Sequence, residues 1–465
     1  MSFYREFTVI AFCCIQFVFP PPVYAKAKLA SIFSNGMVLQ RDQRIPVWGK
    51  ASAEEKITLR LKKQVIHVVA DKNGNFRSDF NAEPSGGPYN LVVESSQKEV
   101  INEVYIGEVW LCVGQSNMVM AVEETSDVEK FLSNRNQNLH LLHMPPSPTA
   151  KASEGFSAKW QACDEENVRH FSAIAYGFGS KIANDLNLPV GIICGAVGGT
   201  PIDAWTPNLE EDQSSESGER SENCKNSQCF NGILHPLIPY AIRGIVWYQG
   251  EADLGTPKSY ARKFPSLIEK LRDLWAQEDD DFPFIFVQLP RNNVLSKELG
   301  NFVWADFRLA QESATQLRNV FMVSAIDIGE PDDIHPKSKF ILSERLAVTA
   351  LAHCYSKKYM YKGPTVKNMQ IVDGDRVKIT FDCNIDDLRI RGDGGFTIAS
   401  VGGAFMPCKV TRRENSLIVY SDEIKRPVRL RYAYANVPAG LIISKYGFPL
   451  PPFNHEFLEQ LDSIR

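Results

Sequence analysis

The stretch Gly107-Glu108-Val109-Trp110-Leu111-Cys112-Val113-Gly114-Gln115-Ser116-Asn117-Met118 constrains the fold more than any other part of the chain. Its apolar run ends at Val113 and reads as a buried strand. Gly114 then permits a sharp bend, so the next side chains project from the strand's carboxyl end. Open parallel sheets place reactive side chains in the crevice beyond those ends, where a following helix offers unpaired N–H groups to a developing oxyanion. Ser116 is therefore a candidate nucleophile. Ser and Asn are also good helix N-caps, so the rest of the chain has to decide between chemistry and capping.

From about Lys28 to Val104 the chain shows short alternating segments, Lys56–Leu61, Val65–Ala70 and Tyr89–Glu94, divided by Gly, Pro, Asn and Asp, which reads as an all-β module. From Tyr105 apolar strands alternate with amphipathic helices, the pattern of a parallel α/β sheet. Strands are expected at Val109–Val113, Leu139–His143, Pro189–Cys194, Arg243–Tyr248, Phe282–Gln288 and Val320–Ile326. One helix carries Phe171, Ile174, Ala175, Phe178 and Ile182, another Phe264, Leu267, Ile268, Leu271 and Trp275, and a third starts near Pro336. Glu210–Gln228, rich in Ser, Glu, Asp and Asn, should be an exposed loop. Beyond Tyr359 the β texture returns at Arg376–Phe381, Gly395–Ala399, Ser416–Tyr420 and Val428–Tyr432, either as a separate sandwich or as strands added to the N-terminal one.

A chain of 465 residues is too long for one typical core. The layout read from these patterns is a signal peptide at 1–25, an N-terminal β module at 26–104, an α/β domain at 105–355 and a C-terminal β region at 356–465. Arg5, the apolar run Phe7–Phe19, the prolines 20–22 and Val23-Tyr24-Ala25 resemble an export signal cleaved after Ala25, which would make the protein periplasmic or secreted. Cys13 and Cys14 would leave with it, and Cys224 with Cys229 would be the nearest local pair among the rest. A net charge of −4 with 23% charged residues gives no basic excess for nucleic acid and no electrostatic hold on a membrane, and no internal apolar run nears the ~20 residues of a span. Oligomeric state is not readable from these patterns.

Four of the expected strands end in polar, glycine-containing turns: Gly114-Gln115-Ser116-Asn117, Gly198-Gly199-Thr200, Gln249-Gly250-Glu251-Ala252-Asp253, and Asp327-Ile328-Gly329 leading to Asp332-Asp333-Ile334-His335-Pro336. A doubly wound sheet would bring all four to one edge. Together they suit acyl transfer, with Ser116 attacking, His335 taking its proton, a carboxylate orienting the imidazole and backbone N–H groups binding the oxyanion. Each piece has a plainer use: His335 and the two aspartates as caps of the next helix, Gly198-Gly199 as a turn, Glu251 and Asp253 as solvated charges. His235, before Pro236, is a second histidine that could enter the site. No metal-ligand spacing or phosphate-binding glycine loop is present, so no cofactor is expected.

At these residues the chain resembles the sialate O-acetylesterase family, a branch of the SGNH serine esterases. The likeness rests on Gly114-Gln115-Ser116-Asn117-Met118, Gly198-Gly199-Thr200 with Trp205, Trp247-Tyr248-Gln249-Gly250-Glu251, and Asp333-Ile334-His335-Pro336 with Lys339. It extends to Phe33–Arg41, Ile45–Gly49 and Asn231–Ile238. The resemblance implies a flavodoxin-like three-layer domain with a parallel sheet, flanked by N-terminal and C-terminal β modules, and removal of acetyl groups from sugar hydroxyls without a metal. Sialic acid or a related glycan would be the substrate; acetylated xylan or pectin, or a silent carbohydrate-binding role, are the alternatives. It implies oxyanion donors at the N–H groups of Ser116 and Gly199 and places Gln249 where other SGNH enzymes use an asparagine, with Gln115 and Asn117 as further oxyanion or substrate-binding candidates. Relatives often read Gln-Gly-Glu-Ser-Asn where this chain has Ala252-Asp253, so Asp253 departs from a neutral donor. The orienting acid is Asp332, three residues before His335, Asp333, two before it, or Glu251 from the neighbouring strand end.

Overall fold

A computed structural model describes residues 26–207, 226–277 and 281–457. The expected export signal and Cys224 lie outside the described residues, as does most of the Glu210–Gln228 loop. The strand that ends at the serine turn, β1, runs from Lys98 to Gly114. Its first half pairs antiparallel with Gly86–Glu94 and parallel with Val38–Gln40; from Glu108 it lies between two parallel neighbours, Val190–Ala196 and Gly244–Tyr248. The change of texture at Tyr105 thus falls inside one strand. Exposed and buried residues mix up to Tyr105 and every residue from Ile106 to Gly114 is buried, because only the second half is covered on both faces. The boundary expected at 104/105 is crossed by continuous strand rather than by a linker, and one apolar cluster runs from Ala27 to Leu351.

The remaining strands of the parallel sheet are β2 (Leu139–His143), β3 (Val190–Ala196), β4 (Gly244–Tyr248), β5 (Phe284–Gln288) and β6 (Val320–Ser324). Their spatial order is β2-β3-β1-β4-β5-β6. Without β2, the outermost of the parallel strands, this is the flavodoxin-like order 2-1-3-4-5, in which β1 sits where the winding reverses and a crevice opens at its carboxyl end. Helices α1 (Ala173–Leu186) and α4 (Phe340–Cys354) pack together, as do α2 (Pro257–Trp275) and α3 (Val303–Glu312). Register puts the two pairs on opposite faces. Trp247 pairs with Val113, an odd step from Trp110 along β1, so the two indoles point to opposite sides. Trp110 meets Phe178 of α1 and Trp247 meets Phe264 of α2.

The third helix begins at Phe340 rather than near Pro336. The Lys337 carbonyl is taken by the Ser126 amide at 3.1 Å, which holds the segment after His335 in a non-helical path. At the other end of the sheet, the fully buried Glu108 accepts from Arg41 Nε (2.5 Å), Arg243 Nε (2.8 Å), Gln40 Nε2 (3.2 Å) and the Tyr355 hydroxyl (3.0 Å). Burial alone would raise its pKa, but the two guanidinium groups prevail and hold the carboxyl below the usual range. This cluster ties the N-terminal strands to the sheet and to the end of α4.

The C-terminal strands form sheets of their own: Val366–Val372, Arg376–Phe381, Ser416–Tyr420 and Lys409–Arg413 in one, and Phe396–Ala399, Arg429–Tyr432, Phe453–Glu456 and Met406–Pro407 in another. Among the described residues none pairs with an N-terminal strand, and they enclose a second core around Ile379, Val419, Leu430 and Ile442. Of the two arrangements open from sequence, the separate one is present. No described helix is long and apolar enough to cross a membrane.

Candidate active site

The serine turn is shaped by its neighbour β4. Gly114 has φ +146°, and a Cβ there would stand 2.1 Å from the Tyr248 carbonyl oxygen, so the residue must be glycine. The Gln115 amide donates to that same carbonyl at 3.0 Å, and its side-chain oxygen faces the amides of Gly250 and Ala252 at 3.4 and 3.5 Å. Ser116, partly exposed, opens a single helical turn, Ser116–Val119, shorter than the helix expected after it.

Ser116 Oγ lies 2.8 Å from His335 Nε2, on the loop that follows β6. With the ring proton on Nδ1, Nε2 accepts the hydroxyl hydrogen. Burial, reinforced by the Lys339 ammonium and opposed by Asp333, lowers the His335 pKa, so the imidazole is a free base at neutral pH. Gly198 closes the other side: a Cβ on it would sit 3.6 Å from that of Ser116, and Gly198 and Gly199 are both exposed to the crevice.

The Gly198–Thr200 loop is braced from behind. Gln249 Nε2 donates to the Thr200 carbonyl (3.1 Å) and to Asp253 Oδ2 (2.6 Å), while its Oε1 accepts from the Tyr260 hydroxyl (3.1 Å). Both amide hydrogens of Gln249 are spent, which makes it a brace here and leaves none for an oxyanion. Asp253 also accepts from the Ile202 amide at 2.9 Å, and burial pushes its pKa up to about 7. The departure Ala252-Asp253 thus supplies an acceptor to the same brace.

The three candidate acids go to three places. Asp333 Oδ1 accepts from the His335 backbone amide at 2.8 Å, Asp332 is exposed, and Glu251 Oε1 accepts from Asn117 Nδ2 at 2.5 Å. Among the described residues no carboxylate meets His335 Nδ1. The fold-back expected of Asp332 is absent because the loop is pinned from β5: Asn292 Nδ2 donates to the carbonyls of Asp333 (2.8 Å) and Glu330 (3.1 Å), and the Asn293 amide to that of Pro331 (2.7 Å). His235 stays outside the site, with Nδ1 2.9 Å from the Ser153 carbonyl.

Asn292 and Arg308 escaped the sequence reading. Fully buried Arg308 donates to the carbonyls of Leu289, Pro290, Ala435 and Asn436, bolting the β5 exit to the C-terminal module, and burial pushes its pKa down to about 9. The β5 exit reads Arg291-Asn292-Asn293 and lacks the glycine that marked the other turns; its polarity at a strand's carboxyl end was the available signal. Replacing Asn292 by Ala is expected to lower kcat about 10- to 100-fold with KM little changed, since two carbonyls of the histidine loop lose the donor that pins them. Steady-state kinetics on an acetyl ester would check it.

A family model described as carbohydrate esterase, sialic acid-specific acetylesterase, matches residues 106–352. A human sialate O-acetylesterase is 28% identical, covering 74% of each chain, and a mouse one is 23% identical, covering 92% of this chain and 94% of its own. The crystal structure of a carbohydrate acetylesterase from Xanthomonas citri superposes with a TM-score of 0.84 at 28% identity, covering 93% of this chain and all of that one. With over half of its length matched, including the serine turn and the histidine loop, the chain belongs to the carbohydrate esterase family of sialic acid-specific acetylesterases.

Proposed function

We propose that this protein is an exported carbohydrate O-acetylesterase that removes acetyl groups from sialic acid or related glycans by a Ser-His-acid mechanism. The observation that carries the reading is the Ser116 Oγ–His335 Nε2 pair at 2.8 Å, at the point of the sheet where the winding reverses. Ser116 Oγ attacks the acetyl carbonyl while His335 Nε2 takes its proton. The oxyanion is met by the amides of Ser116 and Gly199, and the imidazolium returns the proton to the departing sugar oxygen. Water, deprotonated by the same imidazole, then releases acetate from Ser116. Asp333 is the acid of this scheme, anchoring His335 through its backbone and stabilising the imidazolium by its charge.

Acetate released from acetylated sialic acids, acetylxylan and acetylated pectin tests the substrate. Fastest release from the sialic acids supports the proposal, preference for xylan or pectin moves the enzyme to plant polymers, and no release from any makes it a binding protein. A serine-directed organophosphate is expected to abolish activity and exhaustive chelation to leave it unchanged, both followed by ester hydrolysis. Loss on chelation that added metal restores would replace this mechanism with metal-activated water.

A further inference from the structure

Beneath the serine and histidine lies a buried chain of charge that the mechanism above does not use. Lys339 is 1% exposed, and its Nζ donates to Asn117 Oδ1 at 2.5 Å. The amide nitrogen of Asn117 donates onward to Glu251 Oε1 at 2.5 Å and to the Ile334 carbonyl at 3.0 Å. Three segments meet in one amide: the residue after the nucleophile, the exit of β4 and the residue before His335. The geometry points to Lys339, Asn117 and Glu251 as a charge-balanced clamp that fixes the Ser116 turn against the His335 loop, with Lys339 and Asn117 as positioning residues. This rests on the Ser116–His335 reading.

The chemistry favours a tuned clamp over a packing accident. A lone buried ammonium or carboxylate is costly, and each here is offset by the other through a shared amide. Among the described residues Glu251 Oε2 has no hydrogen-bond partner, and the pKa of its carboxyl is raised by burial. Lys339 is lowered to about 7 by burial, against the pull of Glu251. Lys339 also faces the Tyr248 ring at 5.3 Å, with Asp333 and Lys337 on its own segment. The charges acting on His335 are Lys339, Asp333, Lys337 and, from the 122–124 turn, Glu124. Among these Lys339 opposes protonation of the ring, so the clamp both places the base and keeps it free.

The test is the pH profile of kcat/KM on a chromogenic acetyl ester, using the full-length protein and its variants. Lys339→Met is expected to lower kcat about 30-fold with KM within about twofold. It is also expected to move the acid limb up by about one pH unit, because a neighbouring cation no longer disfavours the imidazolium. Lys339→Arg should keep the limb near its original place. Should Lys339→Met fold poorly, with Glu251 left uncompensated, Lys339→Met combined with Glu251→Gln removes both charges and should still show the raised limb. An unmoved limb in both, or full kcat in Lys339→Met, overturns the clamp. Ser116→Ala run alongside separates the two readings: if it stays active the nucleophile assignment fails, whereas an inactive Ser116→Ala with an unmoved limb defeats the clamp alone.

Discussion

Ser116→Ala is expected to lower acetyl-ester turnover by about 10⁶-fold, the scale lost when a hydrolase nucleophile that acts as a unit with its base is removed. The thermal midpoint should hardly move. Ser116 is partly exposed, its hydroxyl bonds to His335, and the turn around it is fixed by backbone contacts of Gly114 and Gln115 to Tyr248 that alanine leaves intact. Binding of an acetylated substrate should persist, since only the reacting atom is lost. Hydrolysis of a chromogenic ester beside a thermal melt would read both. Activity above a few per cent of the parent would remove Ser116 from the chemistry.

The sheet was legible because buried parallel strands are near-continuous apolar runs bounded by turn residues, and Leu139–His143 and Gly244–Tyr248 lie where those runs predict. The convergence of the serine, glycine and histidine turns was legible for the same reason, since strand direction alone sends them to one edge. Side-chain partners were not. Whether Glu251 reaches His335 or Asn117 depends on ångström-scale placement across the crevice, and nothing in the string Gln249-Gly250-Glu251 encodes it. Gln249 shows the same limit, for its amide is captured by Asp253, a residue at which the chain departs from the family pattern. The join at Gly107-Glu108 was hidden by period: a strand that leaves a half-exposed sheet for a buried one changes texture without ending.

His335→Ala is expected to cost nearly as much as Ser116→Ala, and the double variant little more, because a nucleophile and the base that activates it fail together. The acid is where the geometry makes a sharper statement. Asp333 holds the His335 amide at 2.8 Å, and a hydrogen bond to a charged group is worth about 1.5–3 kcal/mol, so Asp333→Ala should lower kcat roughly 10- to 150-fold. Asp333→Asn keeps an acceptor for that amide and should recover part of the loss, leaving the cost of the missing charge on the imidazolium. Asp332→Asn, exposed and free of the ring, should stay within about threefold. The contrary result is equally definite: in hydrolases where a carboxylate fixes the histidine tautomer, its amide costs about 10⁴-fold. A loss of that size in Asp332→Asn would mean that the loop pinned by Asn292 rearranges when substrate binds and swings Asp332 onto Nδ1, since catalytic hydrogen bonds often tighten only in the substrate complex. The acid limb of kcat for the parent should lie below the ordinary imidazole value of about 6.5, because burial and Lys339 depress His335, with activity falling as pH drops through that lowered pKa. Loss of the Asp333 carboxylate, whose charge favours the imidazolium, should carry that limb lower still, whereas a loss confined to loop packing would leave it in place.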